Sequence, residues 1–217
     1  MRKSAHRILV LAALSSVVAV AAPGLAAPAG PKPQVTDPVG DANAINGQGI
    51  VGSPVPNDVV TPADLSGADI VWALFQTAFT KVGRHEIPVG FTVKLHLAAA
   101  PLPNVVYRIT VSLPSCSGLR FEYEQLAGTA PTGDVNCFLL PPATSTVYTI
   151  PPVTVSGGTI TWTVPLKAVA PDLKVGNIMS AIDVSTRALI TAPGAPVGVT
   201  APQIDEATTA AVYRIGS

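Results

Sequence analysis

Apolar and polar residues alternate with a period of two through much of the chain after residue 67. The pattern is clearest over 89–97 and returns in 105–113, 119–123 and 159–164. A period of two predicts half-buried antiparallel strands, in which successive side chains point to opposite faces. In the first of these strands we expect Thr92, Lys94 and His96 to face water, with the apolar residues in the core: Val89, Phe91, Val93, Leu95 and Leu97.

Proline and glycine separate these runs, and only one short stretch has a helical character. The pair Gly157-Gly158 is typical of a two-residue hairpin, while Pro165 and Pro171 limit any helix over 166–173 to about a turn. The stretch 174–189 holds either one longer strand or a bent pair. About nine or ten short strands predict an all-β fold, an antiparallel β-sandwich or jelly roll, in a single domain.

The amino-terminal residues have the layout of a secretory signal peptide. Arg2, Lys3 and Arg7 are followed by an apolar run over 8–22 and then by small residues. A retained membrane anchor is the alternative, but the run is shorter than the roughly 20 residues of a spanning helix. We therefore expect residues 1–27 to be a signal peptide, 28–66 an irregular opening segment and 67–217 the sandwich, with cleavage after residue 21, 26 or 27.

Composition and charge exclude several classes of protein. Hydrophobic residues make up 48% of the chain and charged residues 12%, which argues against long disorder and against a coiled coil. The formal net charge is +0, and loss of the three basic residues before residue 8 leaves 10 basic against 13 acidic residues. Nothing here favours nucleic acid or anionic lipid as a partner. We expect a secreted, extracellular bacterial protein without a membrane span in its mature form.

Cys116 and Cys137 are the two cysteines of the chain. In an exported protein such a pair predicts one disulfide bond. A redox or metal pair is the alternative, but the spacing has no relation to the C-x-x-C arrangement of those sites.

Aspartate is concentrated near the start of the mature chain. The stretch 33–80 contains no lysine or arginine, and its five aspartates are Asp37, Asp41, Asp58, Asp64 and Asp69. Calcium takes six to eight oxygen ligands, and Gly40 allows the backbone to turn between two of these carboxylates. The candidate ligands are Asp37, Asp41 and Asp69, with Asp205 as a further candidate because the last strand of a sandwich can lie near the first. The alternative is that these aspartates only form solvated turns.

The residues suited to catalysis are few. Glu122 and Glu124 share the outward face of one strand beside Arg120, and neither His85 nor His96 stands in a metal-binding motif. A charged strand face is more often solvated surface than an active site, so we expect no enzyme activity and no catalytic residues. A secreted hydrolase remains an alternative, and it would need a cleft that joins one of these carboxylates to a polar partner.

A carbohydrate-binding module is a further alternative, and it would need exposed aromatic side chains. The strand alternation places most of them in the core, which leaves Trp72 and Tyr148 as candidates for an exposed sugar platform. Such a module would bind a polysaccharide through these rings.

The opening of the domain resembles a known group of modules. Residues 36–42 read T-D-P-V-G-D-A, residues 62–70 read P-A-D-L-S-G-A-D-I, and a late hairpin over 158–166 is followed by V-G-N-I at 175–178. These motifs are loosely similar to exported bacterial β-sandwiches of the DOMON and family-9 carbohydrate-binding (CBM9-like) type. The resemblance implies a sugar, haem or calcium ligand. No Met/His pair suited to haem is found, and the acidic opening maps onto Asp37, Asp41 and Asp69 as cation ligands.

Together these features predict a secreted, non-enzymatic β-sandwich. It would have an extracellular binding or cell-envelope accessory role, with calcium as a candidate structural ion and an extracellular ligand for which a polysaccharide is the candidate.

Overall fold

Twelve strands form two antiparallel sheets in the part of the chain that the structure, a computed structural model, describes: 31–42, 62–125, 128–139, 144–170, 172–189 and 200–217. The all-β sandwich is thereby confirmed. The first sheet has the order β1-β2-β3-β9-β8, formed by Val35–Thr36, Ile70–Val82, His85–Leu97, Thr159–Pro165 and Thr154–Ser156.

The second sheet has the order β11-β10-β4-β5-β6-β7, and β12 pairs with one end of β10. Its strands are Thr200–Thr209 (β11), Ile178–Leu189 (β10), Val105–Leu113 (β4), Cys116–Glu124 (β5), Thr132–Leu139 (β6), Thr144–Tyr148 (β7) and Tyr213–Arg214 (β12). A 3₁₀ helix at Pro62–Gly67 precedes β2, and one helical turn, α1 at Leu166–Val169, follows β9.

Aromatic side chains from both sheets meet in the core. Phe121 on β5 contacts Phe75, Phe91 and Trp162 of the first sheet edge to face, with ring centroids 6.0–6.4 Å apart. All four side chains are at most 2% exposed. Edge-to-face pairs of this kind add to the hydrophobic stabilisation of a core, so the inward face of β5 lies at the centre of the sandwich.

The predicted disulfide is confirmed. Cys116 on β5 and Cys137 on β6 are bonded, with Cα atoms 5.7 Å apart, and both residues are buried. The bond joins two neighbouring strands of the second sheet and therefore fixes their relative position.

The alternation in β3 is interrupted once. Phe91, Val93, Leu95 and Leu97 are buried as predicted, but the prediction for Val89 was wrong, because this side chain is 44% exposed. The pairing with β2 shifts between Gly90 and Pro88, so a β-bulge leaves Val89 without a cross-strand partner and reverses the alternation there. Bulges of this kind are not visible in an apolar pattern.

The stretch 174–189 contains one strand, β10, with an irregularity near its start. The pairing with β4 shifts between Ser180 and Asp183, and Ala181 has a positive φ of 47°. This bulge bends the strand, so β10 pairs with β12 on one side of the bulge and with β11 on the other.

Part of the opening segment belongs to the sandwich. Residues 31–217 form one compact unit, and Val35–Thr36 pairs with β2 at the edge of the first sheet. The expected signal peptide, 1–27, lies outside the described residues. None of the helices among the described residues is long and apolar enough to cross a membrane.

Candidate functional site

The edge strand β1 brings Asp37 to the start of β2. The Asp37 N–H donates to the carbonyl of Val71 at 3.0 Å, which continues the pairing of the two strands. The chain then turns at Gly40, whose φ of 93° is readily adopted only by glycine. The N–H of Gly40 donates to Asp69 Oδ2 at 2.8 Å. This bond holds the turn against Asp69, the residue directly before β2. Asp37 and Asp41 therefore lie before and after the bonded Gly40, close to the start of β2.

Asp205 approaches the same place from the other sheet. Its Oδ2 accepts the N–H of Ile70 at 2.7 Å, and its Oδ1 accepts the N–H of Glu206 at 2.8 Å. The side chain is 8% exposed. These two bonds fix the carboxylate of β11 against the first residue of β2, across a sequence separation of 135 residues.

Three carboxylates meet at this point. Asp37, Asp41 and Asp205 each offer an oxygen, and these oxygens all lie within 4.8 Å of one another. We call these three residues the acidic cluster. The predicted ligands Asp37 and Asp41 are thus brought together with Asp205, the further candidate. Asp69 borders the cluster through its bond to Gly40.

Asp69 carries an unusual buried atom. The residue is 2% exposed, and while Oδ2 accepts the bond from Gly40, Oδ1 has no hydrogen-bond partner among the described residues. The Oδ2 of Asp37 is likewise buried without a partner there. An unsatisfied buried carboxylate oxygen is costly in free energy, and a bound cation is one way to satisfy it.

Burial and the closeness of other carboxylates shift the pKa values of Asp37 and Asp205. Burial, followed by the charges of Asp205, Asp41 and Asp69 and a hydrogen bond with Asp205, raises the pKa of Asp37 to about 6. Burial also raises the pKa of Asp205, against the lowering effect of its two backbone N–H bonds, with further raising from Asp41 and Asp69. No cationic side chain contributes to either shift. A bound cation would therefore relieve repulsion that the described side chains leave uncompensated.

Hard divalent cations suit this arrangement. Calcium prefers carboxylate oxygens in irregular geometries that combine several chain segments, with carbonyls and water completing the shell. The acidic cluster offers ligands from β1, the turn after it and β11. Asp58 lies outside the described residues, and for Asp64 the structure gives the backbone within the 3₁₀ helix.

The two glutamates considered for catalysis are paired with neighbours. Arg108 donates to Glu122 Oε2 from Nε at 2.8 Å and from Nη2 at 2.7 Å, and Arg120 lies 3.8 Å from the same oxygen. Thr132 donates to Glu124 at 3.3 Å. These contacts belong to a charged surface on the outer side of the second sheet. We call it the ion-pair lattice, after the two ion pairs that Glu122 makes with Arg108 and Arg120. Its other charged residues are Asp134, Asp183, Arg187 and Glu206.

The candidate aromatic residues differ in their surroundings. Tyr148 is 6% exposed and donates to Asp172 at 2.8 Å, so it offers no exposed ring face. Trp72 is partly exposed on the outer side of the first sheet and stacks on His96, with centroids 4.9 Å apart. His85 is exposed in the hairpin between β2 and β3. One of the two rings considered for a sugar platform is therefore accessible.

A shallow groove of about 380 Å³ lies along the free edge of β2. Phe79, Thr77 and Tyr213 line it together with Gln34, whose side-chain amide bonds both the N–H and the C=O of Phe75. Its lining contains no carboxylate side chain, histidine or cysteine. The titratable side chains in this lining are those of Lys32 and Tyr213.

Comparisons with known proteins identify no relative: no protein-family model, no curated protein and no solved structure matches this chain. The resemblance to the DOMON and CBM9-like sandwiches stays a prediction.

Proposed function

We propose that this protein is a secreted, non-enzymatic β-sandwich that binds one calcium ion at the acidic cluster. The ion would join the opening segment to the edges of both sheets, in a protein with an extracellular binding or cell-envelope accessory role. The observation that carries the proposal is the convergence of the Asp37, Asp41 and Asp205 oxygens within 4.8 Å, beside the unpartnered buried Oδ1 of Asp69.

Two further observations support a binding role over catalysis. Glu122 is bonded by Arg108 and Glu124 by Thr132, and the lining of the groove along β2 contains no carboxylate side chain or histidine. Calcium in this position would act by holding chain segments together, since Ca²⁺ tolerates ligands from several segments.

The test is a calorimetric titration of the metal-free protein with calcium chloride. We expect binding of one ion per chain, with Asp41→Asn and Asp37→Asn each weakening the affinity at least tenfold. The matched control is Glu86→Gln, which removes one carboxylate charge from the exposed start of β3. Its affinity should equal that of the wild type.

Two outcomes would contradict the proposal. One is the absence of calcium binding to a folded wild-type protein. The other is an equal loss of affinity in the control and in the two cluster variants, which would indicate general charge attraction. Titration with magnesium chloride adds a further check, because Mg²⁺ demands a stricter octahedral geometry and should bind more weakly.

A further inference from the structure

The outer side of the first sheet presents a regular array of hydroxyl groups. The cross-strand register aligns Thr36, Trp72, His96, Thr159 and Ser156 in one row across all five strands. The next rows hold Leu74, Lys94, Thr161 and Thr154, and then Gln76, Thr92 and Thr163. We call this surface the hydroxyl face. Strand spacing makes its longest row about 19 Å wide.

Part of the hydroxyl face is already held in place. Trp72 stacks on His96, and His96 Nδ1 lies 2.9 Å from Thr159 Oγ1, so three neighbouring strands contribute to one connected row. The hydroxyls of Thr161, Thr163 and Thr154, by contrast, have no hydrogen-bond partner among the described residues. A rigid aromatic pair beside free hydroxyls limits the entropy lost on binding a polar ligand.

The hydroxyl face carries little charge. Lys94, near its centre, is the one lysine or arginine in the three rows, and none of the residues there is acidic. Lys94 forms no ion pair within the described part of the chain. The mature protein carries more acidic than basic residues, so an uncompensated cation on this face favours a ligand with a negative charge.

These properties narrow the class of ligand. A protein partner would require an apolar centre, whereas Leu74, the aliphatic residue of the central rows, is only 7% exposed. A nucleic acid would require several cations to neutralise its phosphates. A small molecule would require a concave pocket, and the groove along β2 lies at the sheet edge. An extended polymer with many hydroxyls and some carboxylates matches the hydroxyl array, the ring pair and the single lysine.

We propose that the hydroxyl face binds a uronate-containing polysaccharide. Lys94 pairs with a sugar carboxylate, the exposed part of Trp72 packs against a sugar ring, and the threonine hydroxyls of β9 and β8 exchange hydrogen bonds with sugar hydroxyls. The site uses no residue of the acidic cluster, although Thr36 directly precedes Asp37, and it does not require calcium.

The test compares two probes that differ only at C6: a cello-oligosaccharide and the same oligomer oxidised there to the uronate. Titrations are performed in EDTA, so that the acidic cluster is empty and calcium cannot bridge the probe. We expect the wild type to bind the oxidised oligomer at least tenfold more tightly than the unoxidised one. Lys94→Gln should abolish this preference, and Trp72→Ala should weaken the binding of both probes at least tenfold.

Matched variants keep the result interpretable. Lys81→Gln removes the same charge from the exposed end of β2 and should bind like the wild type. Thr161→Val preserves side-chain shape and should weaken binding several-fold. Melting temperatures measured for each variant identify any that are not folded, and the two conservative changes serve if Trp72→Ala is among them. Failure of the wild type to bind the oxidised oligomer, equal binding of both oligomers, or an unchanged preference in Lys94→Gln would overturn the proposal.

Discussion

The acidic cluster and the ion-pair lattice both crowd carboxylates on strands, but they compensate the charge differently. In the lattice, Glu122 lies opposite Asp134 on one side, but Arg108 lies opposite it on the other side and Arg120 is near it on the same strand, so its charge is compensated. In the cluster, the charges that shift the pKa of Asp37 are all negative. Opposite charges across a strand pair stabilise a sheet, whereas like charges at such distances oppose folding. The comparison teaches that the missing counter-charge, more than the number of carboxylates, indicates a ligand.

The largest difference between the two regions should appear when a carboxylate is removed. Asp205→Ala leaves the N–H groups of Ile70 and Glu206 without their acceptor and should cost about 3 kcal/mol of stability in calcium buffer. Glu122→Ala, on the half-exposed lattice, should cost about 1 kcal/mol. Urea unfolding of both variants measures the two values, and equal losses would remove the distinction.

The next largest difference between the two regions should be in how calcium changes the stability of their variants. A bound ion stabilises the native state by RT ln(1 + [L]/Kd), about 2.7 kcal/mol at roughly a hundredfold excess over Kd. Calorimetric melting in calcium and in EDTA should show this gain for the wild type and for Glu122→Gln, but not for Asp41→Asn. A gain that persists in Asp41→Asn would place the ion elsewhere.

Neutralising one carboxylate in each region should have opposite signs when calcium is absent. Asp69→Asn keeps an acceptor for Gly40 and removes a charge that repels Asp37 and Asp205, so in EDTA it should raise stability by about 1 kcal/mol. Glu122→Gln weakens the bond to Arg108 and should lower stability by up to about 1 kcal/mol. Destabilisation by Asp69→Asn in EDTA would contradict the view that repulsion dominates the cluster.

The smallest expected effect is a dependence on pH. The pKa of Asp37 is raised to about 6, above its ordinary value of 3.8, so the native state binds more protons than the unfolded chain between these values. Stability in EDTA should therefore rise as pH falls from 7 towards 4. Asp183, whose pKa is raised to about 6 by burial and by Glu206, contributes in the same direction.

The difference between calcium and EDTA isolates the cluster from Asp183. Protons compete with the ion for Asp37, so the stabilisation by calcium should shrink as pH falls through about 6. Melting temperatures measured over this range in both buffers provide the check. A calcium gain that stays constant down to pH 4 would exclude Asp37 as a ligand.

The sequence predicted the elements that follow local rules and missed those set by pairing between distant segments. Alternation identified β3, β4 and β9, and the two cysteines identified their bond. The exposure of Val89 depends on a bulge against β2, and an apolar pattern carries no trace of it.

The candidate site was predictable to a similar degree. Gly40 between two aspartates indicated the turn, and Asp205 entered only because the last strand of a sandwich can lie near the first. The hydroxyl face went unnoticed, although its signal was present in the alternating threonines at 159, 161 and 163. These residues gain meaning only once Thr92, Lys94 and His96 are known to lie beside them on β3.

The bonds between β2 and the end of the chain have a consequence for when the protein can fold. Asp205, Tyr213 and Gly216 bond to Ile70 or Thr77 across 135–139 residues of sequence. Such distant contacts slow folding, because a long loop must close before they form. The first long strand thus cannot complete its contacts until residues 205–216 have been synthesised. We expect the chain to remain without its native structure until then, a state in which a polypeptide can still be threaded through a membrane channel.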